Sequence, residues 1–170
     1  MLAAKDSSAS IRVALVGAPC RKGWPVSRAR SLFGDARWRV HFTRGSARVD
    51  HAVASPMFPG MENLGAEFKL IEEWYSMKNF APDLHVILAQ ETVGMKGGMY
   101  QRPSYPSTWA RRHGQGRVFF TSMAHRENVW IEQPFQQIVL GGLAWVLGNV
   151  DVDITPNIAT VTPECQLFKG

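Results

Sequence analysis

The segment Leu84 to Ala89 (LHVILA) constrains the fold more than any other stretch of the chain. A run so short and so apolar reads as a central strand, buried within a sheet. Arg117 to Thr121 (RVFFT), introduced by Gly114-Gln115-Gly116, reads as a second strand, and Ile11 to Gly17 (IRVALVG) as a third. From Pro134 onward, Phe135, Ile138, Val139, Gly142, Trp145 and Val146 recur at steps of three and four residues. That spacing predicts an amphipathic helix over 134–147, with proline in its first turn and Gly148 as its stop. Gly141 and Gly142 each weaken such a helix by about 1 kcal/mol relative to alanine, so close packing on a sheet is expected to compensate. Strands alternating with a helix and long loops imply a layered α/β domain, with the three strands in one sheet and Phe135, Ile138 and Trp145 buried against it.

Other stretches are less regular. Trp38 to Phe42 alternates and reads as a strand, whereas 18–50 otherwise shows no sustained period. Residues 54–65 are turn-rich, and Phe68 to Tyr75 reads as a strand or extended segment. Gln90 to Pro106, rich in Gly, Met and Pro, reads as a long connection of the kind that serves as a functional loop or lid. The net charge of +5 is unevenly placed: residues 1–50 hold ten Lys/Arg against three Asp/Glu. No register or aromatic motif organises those basic residues, so solvated chain is the preferred reading over a nucleic-acid patch. No apolar run is long enough for a membrane span, and the start shows no secretory pattern. Cys20 and Cys165 stand in unrelated contexts. A cytoplasmic protein with free thiols is expected.

Among chemistry-bearing residues, His125 comes first because it lies just past the end of a strand, where open α/β sheets place their ligands. Glu73, Tyr75 and Lys78 form a second cluster, since residues two apart on extended chain share a side and suit hydrogen bonding to a polyol. Trp109 and Tyr105 are candidates for stacking on a sugar face, or plain core. Arg111 and Arg112 either line the same rim or are solvated, and Arg126 and Ser122 are candidate binders of a hydroxyl or an oxyanion. His85 reads as packed, while His41, His51 and His113 have no partner at ligand spacing. No metal and no cofactor is expected, for want of ligand spacing.

The strings EEWYSMKNF from Glu72, HVILAQE from His85, RPSYPSTWARRHGQGRVFFTSMAHRENVW from Arg102 and FQQIVLGGLAWVLGNVD from Phe135 resemble the ThuA-like (trehalose-utilisation) domain. Most specific are the Glu73-x-Tyr75 pair, Pro106 with Trp109, Gly114-x-Gly116-Arg117-Val118, and Trp145 with Gly148. The resemblance runs over about 51–168. Ala124 departs from it, standing before His125 where the family usually has glycine. What the resemblance implies is a glutamine-amidotransferase-like fold, a three-layer flavodoxin-like parallel sheet. It also implies a role in utilising trehalose or a related disaccharide, with a small sugar as ligand. His125 and Glu127 repeat the His-x-Glu spacing of the amidotransferase acid–base pair. Residues 1–50 are set apart as a divergent basic segment, and 51–170 as the carboxy-terminal part of the domain. No Gly-x-Cys/Ser/His-x-Gly turn occurs in 1–50, and Ala18-Pro19-Cys20-Arg21 lacks the glycines of a nucleophile elbow. The sheet is therefore expected to be incomplete on its amino-terminal side. A truncated, non-catalytic sugar-binding or protein-interaction module is the alternative to an enzyme.

Overall fold

The structure is a computed structural model, and it describes residues 47–167. The strands expected at 11–17 and 38–42, Cys20 and residues 18–46 of the segment expected to be irregular lie outside the described residues, whereas 47–50 of that segment are regular and open the first strand. Among the described residues, five strands form one sheet: β1 (Ala47–Val53), β2 (Glu67–Glu72), β3 (His85–Gln90), β4 (Tyr105–His113) and β5 (Gly116–Thr121). Their order is β2-β1-β3-β4-β5. Helix α1 (Gln133–Val146) follows β5, and a short helix α2 (Ile158–Val161) lies in the carboxy-terminal stretch.

The strands expected at 84–89 and 117–121 are present within a residue and share the sheet. The parallel arrangement is not: every described strand pair runs antiparallel. The connections explain why. Parallel neighbours need a crossover of a dozen or more residues, usually helical, whereas β4 and β5 are joined by a hairpin in which His113 pairs with Gly116. Gly114 takes φ +57 in that hairpin, a conformation that costs glycine little. Between β3 and β4 there is only one turn of 3-10 helix, Gly98–Tyr100. The wholly buried β3, which reads like a strand of a parallel sheet, is buried because both faces of this antiparallel sheet are covered.

On one face, Phe58, Met61, Trp74, Ile87, Phe119, Phe135, Ile138 and Trp145 form a single cluster under α1. On the other, Tyr105, Trp109, Val86, Val118 and Phe120 pack with Ile158 and Cys165 from the carboxy-terminal stretch. Along β5 the side chains alternate between these clusters, as a two-residue period requires. Asn157 supplies the second layer with a strand-like contact: its Oδ1 accepts from the Val86 N–H at 2.6 Å and its Nδ2 donates to the Val86 carbonyl at 3.1 Å. His85 is packed as expected, with its ring nitrogens 2.8 Å from the Thr155 carbonyl and 2.8 Å from Ser55 Oγ.

Helix α1 begins with proline in its first turn and ends at a Schellman motif. Gly148, at φ +77, donates to the Trp145 carbonyl, and Asn149 to that of Ala144. Arg117 Nη1 donates to the Trp145 carbonyl at 2.9 Å, which places a cation at the negative end of the helix. Phe135, Ile138 and Trp145 are buried as expected, each worth about 2 kcal/mol or more.

The two helix glycines are contact points. A Cβ on Gly141 would lie 1.9 Å from the Pro59 carbonyl oxygen, and one on Gly142 would lie 2.5 Å from the Phe119 ring. Backbone cannot yield as a flexible side chain does. Gly141→Ala should therefore destabilise the protein by about 2 kcal/mol or more, despite the better helix propensity of alanine. Urea unfolding of this variant beside Gln136→Ala, at an exposed position of the same helix, checks it. Equal stabilities would contradict the packing.

Candidate functional site

The chain leaves β2 in extended form, so Glu72 and Glu73 point to opposite sides. Glu72 turns inward and is fully buried, while Glu73 faces the surface. Beyond β5, Ser122 and Met123 stay buried, and Ala124 adopts φ +83 before the chain enters the 3-10 turn Glu127–Ile131. That turn of the chain delivers His125 to Glu73: His125 Nδ1 lies 3.1 Å from Glu73 Oε2. Their side chains are 22% and 32% exposed, open enough to meet a ligand and sheltered enough for the contact to matter. Tyr75 completes the group, its ring edge-on to the imidazole with centroids 5.8 Å apart.

Glu73 and Tyr75 of one sequence cluster thus meet His125 of the other. The partner of the imidazole differs from the expected one, because Glu127 is exposed at the start of the 3-10 turn and Glu73 takes the ring nitrogen. Lys78 is half-buried three residues past Tyr75. Arg126 is half-buried, its Nε donating to Asn128 Oδ1 at 3.0 Å.

Other candidates fall elsewhere. Trp109 is buried and stacked on Phe120 at 4.9 Å, so it belongs to the core rather than to a sugar platform. Tyr105 is buried too, its hydroxyl donating to the Tyr75 carbonyl at 2.9 Å, and burial raises its pKa. Arg111 pairs with Asp83 at 3.0 Å and lies opposite Val118, toward the hairpin end of the sheet and away from His125. Arg112 is exposed beside it. The loop between β3 and β4 is tied down rather than poised as a lid. The Tyr100 hydroxyl donates to the Trp74 carbonyl at 2.6 Å, Ser76 donates to the Met99 carbonyl at 3.1 Å, and Met95 and Met99 pack on the core. Arg102, unremarked in the sequence, is buried and donates to the carbonyls of Met77 and Cys165, with burial lowering its pKa.

Two further buried ionisable groups escape a sequence reading. Glu72 accepts backbone N–H groups from both sides of the site. His51 is fully buried, its Nδ1 3.2 Å from Ser107 Oγ and its ring against Trp74 at 4.6 Å. Burial pushes the His51 imidazole down to about 3, against a smaller opposing pull from Asp50. No signal in the sequence separates these two from ordinary strand residues, since both depend on partners distant along the chain. Among the described residues, no group of three His, Cys, Asp or Glu side chains is placed to hold a metal ion. Among the same residues, no helix is long and apolar enough to cross a membrane.

An antiparallel sheet covered on both faces, with a carboxylate–imidazole pair at its rim, defines a mixed α/β domain. The profile of the ThuA (trehalose utilisation) family matches residues 8–146, and the chain belongs to that family. The match crosses the 1–50 segment that the sequence reading sets apart. Among solved structures, a ThuA-like protein from Bacteroides uniformis ATCC 8492 is similar at 17% identity and a TM-score of 0.59. That likeness covers 79% of this chain and 57% of the other. Another, from Parabacteroides merdae ATCC 43184, is similar at 13% identity and a TM-score of 0.51, over 69% of this chain and 44% of that one. This chain therefore spans about half the length of these relatives. No curated protein matches it.

The buried His51 gives stability a pH dependence. Its folded pKa of about 3 lies below the unfolded value of 6.5, so the unfolded chain takes up a proton first as pH falls. Stability from this residue is complete above about pH 7 and is lost from 6.5 downward, by about 2 kcal/mol between pH 7 and pH 5. Urea unfolding across that range should show the loss in the wild type and a loss smaller by that amount in His51→Phe. Equal slopes would mean that the imidazole is not buried in neutral form. Ala124→Gly should raise stability by roughly 0.5–1 kcal/mol, because φ +83 strains alanine and not glycine. An unchanged or lowered urea midpoint would contradict that strain.

Proposed function

We propose that this protein serves carbohydrate utilisation, and that Glu73, Tyr75 and His125 form the site that takes the sugar, a disaccharide such as trehalose or an oxidised relative. The contact between His125 Nδ1 and Glu73 Oε2, at 3.1 Å, carries this reading. A carboxylate accepting from Nδ1–H selects that tautomer of the neutral ring and leaves Nε2 as its basic nitrogen. A proton taken from a sugar hydroxyl, or from a carbon beside a carbonyl in a keto-sugar, would then go to Nε2, with Glu73 stabilising the imidazolium that results. Tyr75 packs the ring edge-on and restricts its rotation. Membership of the ThuA family supports the substrate class, and the partial exposure of both pair members supports access from solvent.

Thermal unfolding with trehalose and with a keto-disaccharide is the direct test. At about ten times its Kd, a ligand adds roughly 1.4 kcal/mol, which for a domain of this size raises the melting temperature by about 5 °C. His125→Ala should lower turnover of the responding sugar by about 10²–10⁴-fold and leave the melting temperature nearly unchanged. Binding that survives in a wild type without turnover would identify a sugar-binding module. No shift with any sugar at millimolar concentration would remove the carbohydrate reading.

A further inference from the structure

We propose that Glu72 is the positioning residue of this site, a single buried carboxylate that fixes the backbones of Glu73 and His125 together and so sets the tautomer of the His125 ring. The inference rests on the reading of Glu73 and His125 as a proton-transfer pair. Glu72 is fully buried, and both of its oxygens are occupied by backbone donors. Oε1 accepts from the N–H of Glu73 at 2.8 Å and of Arg126 at 2.9 Å. Oε2 accepts from the N–H of Ala124 at 2.8 Å and of His125 at 3.0 Å. A carboxylate offers about four acceptor positions, and here all are filled by main chain. Both members of the pair donate their own N–H to it.

Backbone amides only donate, so their convergence demands an acceptor at both oxygens. Glutamine would set its NH₂ against two of them. The φ of +83 at Ala124 is what turns successive amides inward, forming a nest that would otherwise hold an outside anion. Filled by Glu72, the nest holds the Cα atoms of residues 73 and 125 at the separation from which their side chains meet. Emptied, it loses the anion that compensates the strain at Ala124, and the loop carrying His125 relaxes away from Glu73.

Nitrogen NMR of the full chain, labelled at histidine, reads this through the ratio of Nδ1–H to Nε2–H tautomer of neutral His125. The wild type should favour Nδ1–H, and Glu73→Ala should lose that preference. In Glu72→Gln the ratio should fall roughly tenfold, about what one charge-assisted hydrogen bond is worth. In Glu72→Ala the ratio should fall as far and return when formate fills the vacated nest, with chloride at equal ionic strength having no effect. An unchanged ratio in either folded variant overturns the proposal. So does formate that restores the melting temperature without restoring the tautomer, since that marks a purely structural tie. Should neither variant fold, Glu72→Asp, a methylene shorter, is read the same way. In the wild type the amides of residues 73, 124, 125 and 126 must also exchange as one unit, and fast exchange at 124–126 alone overturns the idea. A wild type that holds the Nδ1–H tautomer but answers to no sugar retires the carbohydrate reading and leaves the positioning role standing. Sugar binding with an unchanged ratio in Glu72→Gln does the reverse.

Discussion

Among the described residues, strands β2 and β5 are the two edges of the sheet, and four strand spacings would hold them about 19 Å apart if it were flat. Yet the residue that ends β2 accepts three N–H groups from the chain that follows β5. The sheet therefore curls, and the segment after β5 returns across its end to reach the far edge. Removing a carboxylate from water costs several kcal/mol even after the protein relaxes. Four backbone donors at 2.8–3.0 Å offset that cost in the only way available without a cation. Those amides would themselves be orphaned in a buried position without Glu72. Acceptor and donors are thus each other's solvation, which makes this tie expensive to break and holds the chain after β5 against the end of β2.

Packing on the α1 face follows the same economy of space. Gly60 and Gly141 meet where the 54–65 loop crosses the helix, and a Cβ on Gly60 would lie 2.2 Å from the Gln137 carbonyl oxygen. Gly142 lets the helix settle on Phe119, one of the β5 residues that face α1. The loop, helix and strand are therefore held at backbone contact distance, and Arg117 links the end of α1 to β5. That rigid layer fixes the direction in which the chain leaves β5, and hence where His125 begins.

How far the fold was legible depended on whether its signal was local. Strands β3 and β5, helix α1 and its glycine stop carry their periods and caps within a few residues, and each was read to within a residue. Strand β4 was not. Tyr105 to His113 carries a proline and two arginines, which look like loop, and a proline is tolerated inside this sheet only because the β3–β4 ladder shifts register near Ala89, where Pro106 pairs. Strand direction was misread for a similar reason. Burial of β3 on both faces is what a parallel sheet shows, and the residues that cover its second face, among them Ile158 and Cys165, come from a stretch with almost no periodic pattern. Several motif residues were legible as a pattern and not as a role. Gly114, Gly116 and Arg117 build a hairpin and hold a helix end, and Trp109 is core.

The site divides along the same line. His125 could be picked out from its place beyond a strand, and Glu73 with Tyr75 from their spacing, because those are properties of adjacent residues. Their union could not, since β2 and β5 lie at opposite edges and only the curl brings them together. The His-x-Glu spacing pointed to Glu127 for that reason: a neighbour in sequence stands in for a neighbour in space until the path of the backbone is known. Ala124 shows what decides between them. With φ at +83, the backbone turns its amides toward Glu72, and the next side chain leaves toward Glu73 rather than toward its own downstream carboxylate. Glycine reaches that conformation freely, whereas alanine holds it only under load. The strain at this one residue is thus borne by the buried carboxylate, and the imidazole's partner is chosen by backbone geometry before any side-chain chemistry enters.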